Sequence, residues 1–269
     1  MEVLAVDWSG DRRTARRRIR VARADPGRLL AVRGGLDREG VVEFLLARAA
    51  AGPVVAGLDF SFGLPAWFAR EQGCADVAAL WDLVAREGEG WLEACRPPFW
   101  GRGPRPRPPL DPARPGLRVT EAAARADGLD PRSTFQIGGA GAVGTGSLRG
   151  MPHLARLRAA GFAVWPFDDA GHATVVEIYP RVHTGPVVKR SPAARERVVD
   201  ADARIPAALR DDVVASEDAF DAALSALAMA EHLEDLQALR AAPPDRAEAI
   251  EGALWRPPGD GAPADGGRM

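Results

Sequence analysis

Two short apolar runs, each ended by an aspartate, restrict what this chain can fold into more than any other feature. Glu2 to Val6 is apolar after its first residue and stops at Asp7; Pro53 to Leu58 stops at Asp59. Runs this short, with no polar alternation, read as strands buried on both faces rather than as helices. Two such strands belong at the centre of one sheet, with helices covering both sides. In open α/β sheets ligands bind beyond the carboxyl ends of the strands, so Asp7 and Asp59 are placed to share one site.

The remaining elements follow from periodicity and punctuation. Trp8-Ser9-Gly10-Asp11 reads as a turn, Arg18 to Ala24 alternates like a half-exposed strand, and Leu29 to Val32 makes a third strand. Asp37 caps a helix that carries Val41, Phe44, Leu45 and Ala49 at helical spacing. Trp67 to about Ala94 is helical with an interruption near Gly73. A glycine-rich run, Gly138 to Gly146, leads to a helix near His153 to Ala160 and strands at Ala163 to Phe167 and Thr174 to Tyr179. The last long helix starts near Ser216 and turns Phe220, Leu224, Leu227 and Leu233 inward, and a short one through Ile250 and Leu254 ends at Pro257. These elements make one domain over residues 1–256, followed by a tail, 257–269, expected to be disordered. Within the domain Pro97 to Gly116 is too rich in proline, arginine and glycine for a regular element, and predicts an inserted, extended, mobile surface loop at about 97–118.

Composition narrows the function classes. A net charge of −2 over 269 residues gives no overall attraction for nucleic acid. Basicity is local, in Arg12 to Arg23 and in Arg96, Arg102, Arg105, Arg107, Arg114 and Arg118, and each cluster is either a solvated face or a track for phosphates. Lys189 is the only lysine, so arginine replaces lysine everywhere else. No apolar run approaches membrane-spanning length, and no signal-peptide pattern precedes the first strand. Cys74 and Cys95 show no metal-ligand spacing, so a reduced, cytoplasmic protein is expected.

Further acids join the first two. Asp218 and Asp221 lie on one face at the start of the last long helix, either as first-turn capping groups or as acids presented to a cation. Glu177 stands among Val175, Val176, Ile178 and Tyr179, where a charge needs a partner or a function. Carboxylates brought close repel unless a proton or cation relieves them, and magnesium or manganese suits such oxygen donors. His153, His172, His183 and His232 are scattered without ligand spacing and read as structural or surface residues.

Together these stretches resemble domain-of-unknown-function family number 429, described as predicted nucleases of the ribonuclease H-like superfamily. The resemblance rests on Val6 to Gly10, Gly57 to Pro65, Val176 to Pro180, Asp218 to Ala222 and Glu251 to Trp255, in that order, over residues 1 to about 256. It implies an α/β fold with a five-stranded mixed central sheet flanked by helices, its first three strands antiparallel. It also implies metal-dependent hydrolysis of nucleic-acid phosphodiesters by two magnesium or manganese ions, one activating water and one neutralising the leaving oxygen. The implied metal ligands are Asp7, Asp59, Asp218 and Asp221, with Glu177 as a further catalytic acid. Some superfamily members carry an acid on the first helix; Glu43 lies there, on a face that does not align.

Other readings stay open. Gly139 to Gly144 satisfies a dinucleotide-binding fingerprint, and Asp168 follows at about the right distance, but Thr134 to Ile137 is too short and polar for the buried strand that must precede it, and Pro152 interrupts the helix. A nucleotide-binding relative of actin-like kinases normally duplicates the fold, for which this chain is too short. A non-catalytic nucleic-acid or protein-binding module on a degenerate nuclease fold is favoured if the acids are far apart or paired to arginines.

Overall fold

The computed structural model describes residues 1–109 and 111–258. The tail expected to be disordered therefore lies outside the described residues, apart from Pro257 and Pro258. Six strands, β1 (Glu2–Asp7), β2 (Arg20–Asp25), β3 (Arg28–Arg33), β4 (Val54–Leu58), β5 (Ala163–Val164) and β6 (Ala173–Glu177), form one sheet ordered β3-β2-β1-β4-β6-β5. The helices of the first half are α1 (Ala15–Arg18), α2 (Arg38–Ala51), α3 (Ala66–Glu71), α4 (Val77–Ala94) and α5 (Val119–Ala126). Those of the second half are α6 (Gly144–Ala159), α7 (Pro180–Thr184), α8 (Pro192–Ala201), α9 (Arg210–Val214), α10 (Glu217–Glu231), α11 (Leu233–Gln237) and α12 (Glu248–Glu251).

The two apolar runs pair as expected, parallel and central, with Val3 opposite Val55 and Val6 opposite Leu58. β2 runs antiparallel to β1, and β3 antiparallel to β2, on one side. β6 continues the parallel half beside β4. The expected five-stranded sheet is thus extended by a sixth, two-residue strand, β5, at the edge beside β6. It stops early because Pro166 has no N–H to continue a ladder. β6 also ends sooner than the pattern suggests: the Ile178 amide already turns to Leu58 O, and Pro180 starts α7.

Alternation along the central strands divides the core into two. Leu4, Val6, Ala56 and Leu58 face α2, α4 and α6, whose Leu45, Trp81 and Met151 are buried against them. Val3, Ala5, Val55 and Val176 face α10, through Phe220, Ala223 and Leu227. α10 is buried on nearly every side and rich in alanine, which lets its backbone come close. Gly57 completes that fit, because a Cβ there would stand 2.6 Å from Met229 Sδ and 2.7 Å from Ile178 Cγ2.

Local signals explain several helix starts. Asp37 caps α2 through the Gly40 amide (2.9 Å), and Asp76 caps α4 through Ala79 (2.9 Å). α6 begins at Gly144 rather than near His153, and Pro152 sits inside it without ending it. α5 and α8 are not marked by apolar periodicity, although Ser191 before Pro192 is a helix start in miniature. α12 closes at Glu251, and Leu254 instead forms an isolated parallel bridge with Glu177. Residues 103–107 of the Pro/Arg-rich segment are exposed and irregular. Among the described residues no helix is long and apolar enough to cross a membrane.

Candidate functional site

The pairing of Val6 with Leu58 leaves Asp7 and Asp59 side by side just beyond the matched register, and the Asp59 amide donates to Val6 O (3.0 Å). α10 approaches the same edge. Its N-cap is Ser216, whose hydroxyl accepts from Ala219 N (3.0 Å), so Asp218 and Asp221 do not have the N-cap role. Because α10 packs across β1 and β2, its first turns carry both aspartates toward the end of β1.

The four acids lie within electrostatic reach of one another. Burial raises the Asp7 carboxyl well above its usual range, and repulsion from Asp59, Asp218 and Asp221 raises it further. Asp59 is pushed up to about 8, first by burial and then by Asp221, with Lys189 pulling the other way. Burial also raises Asp218, against the pull of Arg18 and Arg20, and Asp221, against the pull of Lys189. This is the behaviour of anions held together short of cation.

The cation in direct contact with Asp221 is Lys189. Its Nζ hydrogen-bonds Asp221 Oδ2, while Asp221 Oδ1 is buried without a hydrogen-bond partner among the described residues. The segment that carries it is pinned on both sides: Arg181 donates to Val187 O (3.0 Å), and Arg195 donates to Lys189 O. Sequence patterning missed this residue. Its being the only lysine in an arginine-rich chain is the signal that could have found it.

A cleft of about 680 Å³ opens at this edge of the sheet. Asp59, the Trp8–Asp11 turn and Glu177 line one part; the glycine-rich segment with Arg18, Arg102 and Arg132 lines another. Arg102 is fixed there by two carbonyls, Ile137 O (3.1 Å) and Leu92 O (2.8 Å). Arg105 and Arg107 stay exposed, with the Arg107 guanidinium 6.0 Å from the Trp100 ring. The glycine fingerprint does precede a helix, α6, but no strand leads into it: Gln136 makes only an isolated bridge to Trp100. A dinucleotide site needs that strand.

Glu177 lies at the end of β6, paired with Leu58 of β4, and it lines the cleft. Its oxygens, however, serve a buried network. Arg118 donates from Nη1 to Glu177 Oε2 (2.9 Å) and from Nη2 to Oε1, and the Phe62 amide also donates to Oε2 (2.9 Å). The same guanidinium reaches Glu121 Oε1 from Nε (2.8 Å) and Glu251 O from Nη1 (2.7 Å). Arg118, grouped by sequence with a surface basic cluster, is in fact fully buried. Burial alone would lower its pKa, but Glu121 and Glu177 outweigh that and hold it above its ordinary value. With two carboxylates to one guanidinium, burial still leaves Glu177 above the usual range. Glu251 joins by accepting from Ala66 N and Val119 N (2.7 Å each), which ties α12 to α3 and α5. Gly63 permits that closure, since a Cβ there would lie 2.5 Å from Glu251 O.

Among the described residues no three histidine, cysteine, aspartate or glutamate side chains are gathered into a group that could hold a metal as it stands. In comparison with known proteins, no family model matches the chain, no curated protein matches it and no solved structure matches it.

Two outcomes follow. Removing Arg118 as Arg118→Met leaves Glu121 and Glu177 buried without a counter-ion and is expected to cost about 3–5 kcal/mol in urea unfolding; a cost under about 1 kcal/mol would show the network to be dispensable. Burial and the Asp221 charge push the Asp59 carboxyl up to about 8, from an ordinary value of 3.8. Stability of the metal-free protein should therefore fall as pH rises between those values, by up to about 1.4 kcal/mol per pH unit for each such proton. Asp59→Asn should flatten the slope and raise stability most at the alkaline end. Parallel wild-type and variant profiles in chelator would contradict this.

Proposed function

We propose that this protein is a divalent-metal-dependent hydrolase of nucleic-acid phosphodiesters built on a ribonuclease H-like fold. The fold reading is supported by the strand order, with β1, β2 and β3 antiparallel and β4 and β6 parallel to β1, and α10 laid across the antiparallel half. One observation carries the function: Asp7, Asp59, Asp218 and Asp221 approach one edge of the sheet from three elements, where one lysine contacts Asp221 and Arg18 and Arg20 act on Asp218.

The donor set fits magnesium or manganese. All four groups offer hard oxygens, and the buried, unbonded Asp221 Oδ1 is an acceptor awaiting a donor or cation. Carboxylates in one neighbourhood repel, and a cation would relieve that repulsion. Asp7 and Asp59 would hold it from the strand ends, Asp218 and Asp221 from the helix. Bound there, the metal would make water a nucleophile at neutral pH and stabilise charge on the leaving oxygen.

The chain's own residues supply the rest. Glu177 acts as a positioning residue: through Arg118 and the Phe62 amide it holds the segment after β4, and so the Asp59 backbone, against β6. Arg102, immobilised before any ligand arrives, presents a guanidinium to phosphate oxygens in the cleft. A cytoplasmic setting suits the two buried free thiols, Cys74 and Cys95. A non-catalytic binding module is the second reading, favoured by Lys189 already neutralising part of the cluster.

Cleavage assays on single-stranded, duplex and hybrid substrates with magnesium or manganese separate the two. The wild type should cleave at least one, and Asp7→Asn should abolish cleavage while remaining folded, because it removes repulsion without changing shape. Substrate binding without cleavage, and no melting shift with manganese, would leave only the binding module. Substrate contact is tested separately by fluorescence anisotropy with the Asp7→Asn background. Arg102→Ala should weaken binding and lower the salt slope by about 1, whereas the exposed Arg105→Ala should change neither. Equal effects of the two substitutions would remove Arg102 from the phosphate path.

A further inference from the structure

Lys189 sits where a metal ion would be needed, and it is the chain's only lysine among 35 lysine and arginine residues. Elsewhere arginine makes the ion pairs, as with Glu2, Glu43, Asp168 and Asp202. An arginine at this position could grip Asp221 with both arms of its fork. A lysine offers a compact point charge on a flexible stem and makes a contact that is easily broken. The contact observed has that form: the ammonium meets Asp221 Oδ2 alone, and Oδ1 stays unbonded.

We propose that Lys189 is an exchangeable counter-ion, held by the acid cluster when no metal is bound and released when a divalent cation enters. The proposal rests on the reading that these acids bind metal. Three further observations bear on it. The lysine's charge acts on Asp7, Asp59 and Asp218 as well as on its partner, so it serves the cluster rather than one residue. Its side chain keeps 21% of its surface accessible, which leaves it a route outward. The backbone around it is anchored independently, by Arg181 on Val187 O and by Arg195 on Lys189 O, so the side chain can leave without unravelling the segment. Exchange of this kind stabilises the metal-free protein and sets a threshold cation concentration for activity.

Because the chain has a single lysine, its release can be read on the unmodified protein. Acylation of Lys189 by an N-hydroxysuccinimide ester is followed by mass spectrometry in chelator and in manganese, with the N-terminal amine as internal reference. Modification of Lys189 relative to that amine should become several-fold faster with manganese. An unchanged or slower rate would overturn the proposal. Calorimetric titration with manganese gives a second measure. Lys189→Met should bind on the order of tenfold more tightly than wild type, the scale of removing one competing charge from a partly buried site, and Lys189→Arg more weakly. If wild type binds manganese and Lys189→Met binds no more tightly, exchange is refuted while the metal reading stands. If neither binds, both fall. Should Lys189→Met fail to fold, the acylation result decides alone.

Discussion

The parallel pairing of β1 with β4 is the constraint on which the rest of this structure depends. Both strands are buried on both faces, so their side chains must alternate into two separate cores and helices must cover each side. On one face the cover is α10, drawn close by alanines and by the absence of a side chain at Gly57. The same register that builds the core leaves two aspartates adjacent at its end, in a place where solvent cannot fully screen them. What favours the sheet at that edge therefore also creates an electrostatic liability.

The protein handles buried acids in two ways. Around Arg118, carboxylates from β6 and α5 share a guanidinium whose N–H groups all find acceptors, and backbone amides take the remaining oxygens. Such saturation makes a rigid joint, binding the segment after β4 to α5 and the C-terminal Glu251 to Leu254 segment. Around Asp7 the compensation is partial: the one ammonium in contact meets Asp221 alone, and Asp221 Oδ1 is buried with no partner among the described residues. Saturated networks hold a fold in register, whereas under-compensated ones store a demand for charge. The two are neighbours, since the Glu177 charge of the first acts on Asp59 of the second.

Much of this was legible beforehand because it rests on local pattern. The buried strands, their closing aspartates, the helix capped by Asp37, and the helix starting near Ser216 all follow from residue type and spacing. Where the patterns misled, a long-range contact had decided the matter. Arg118 looks like its exposed neighbours in an arginine-rich stretch, and only the approach of Glu177, 59 residues further on, makes it a core residue. Glu177 was recognisable as anomalous, but not as the partner of that arginine. The helix α8 carries too little periodicity to announce itself, and β5 keeps only the first two residues of the strand read at Ala163 to Phe167.

The sequence by itself determined the two central strands, the acids that end them and the face of the last long helix that carries two more, since each depends on interactions within a few residues. It also contained the lone lysine, though without a position in space. Tertiary structure alone decided that Lys189 enters the acid cluster, that Arg118 does not reach solvent, and that the glycine-rich segment walls a cleft without heading a parallel sheet. The reason is physical: charge compensation between segments far apart in the chain depends on distance and burial, and neither is written in the order of the residues.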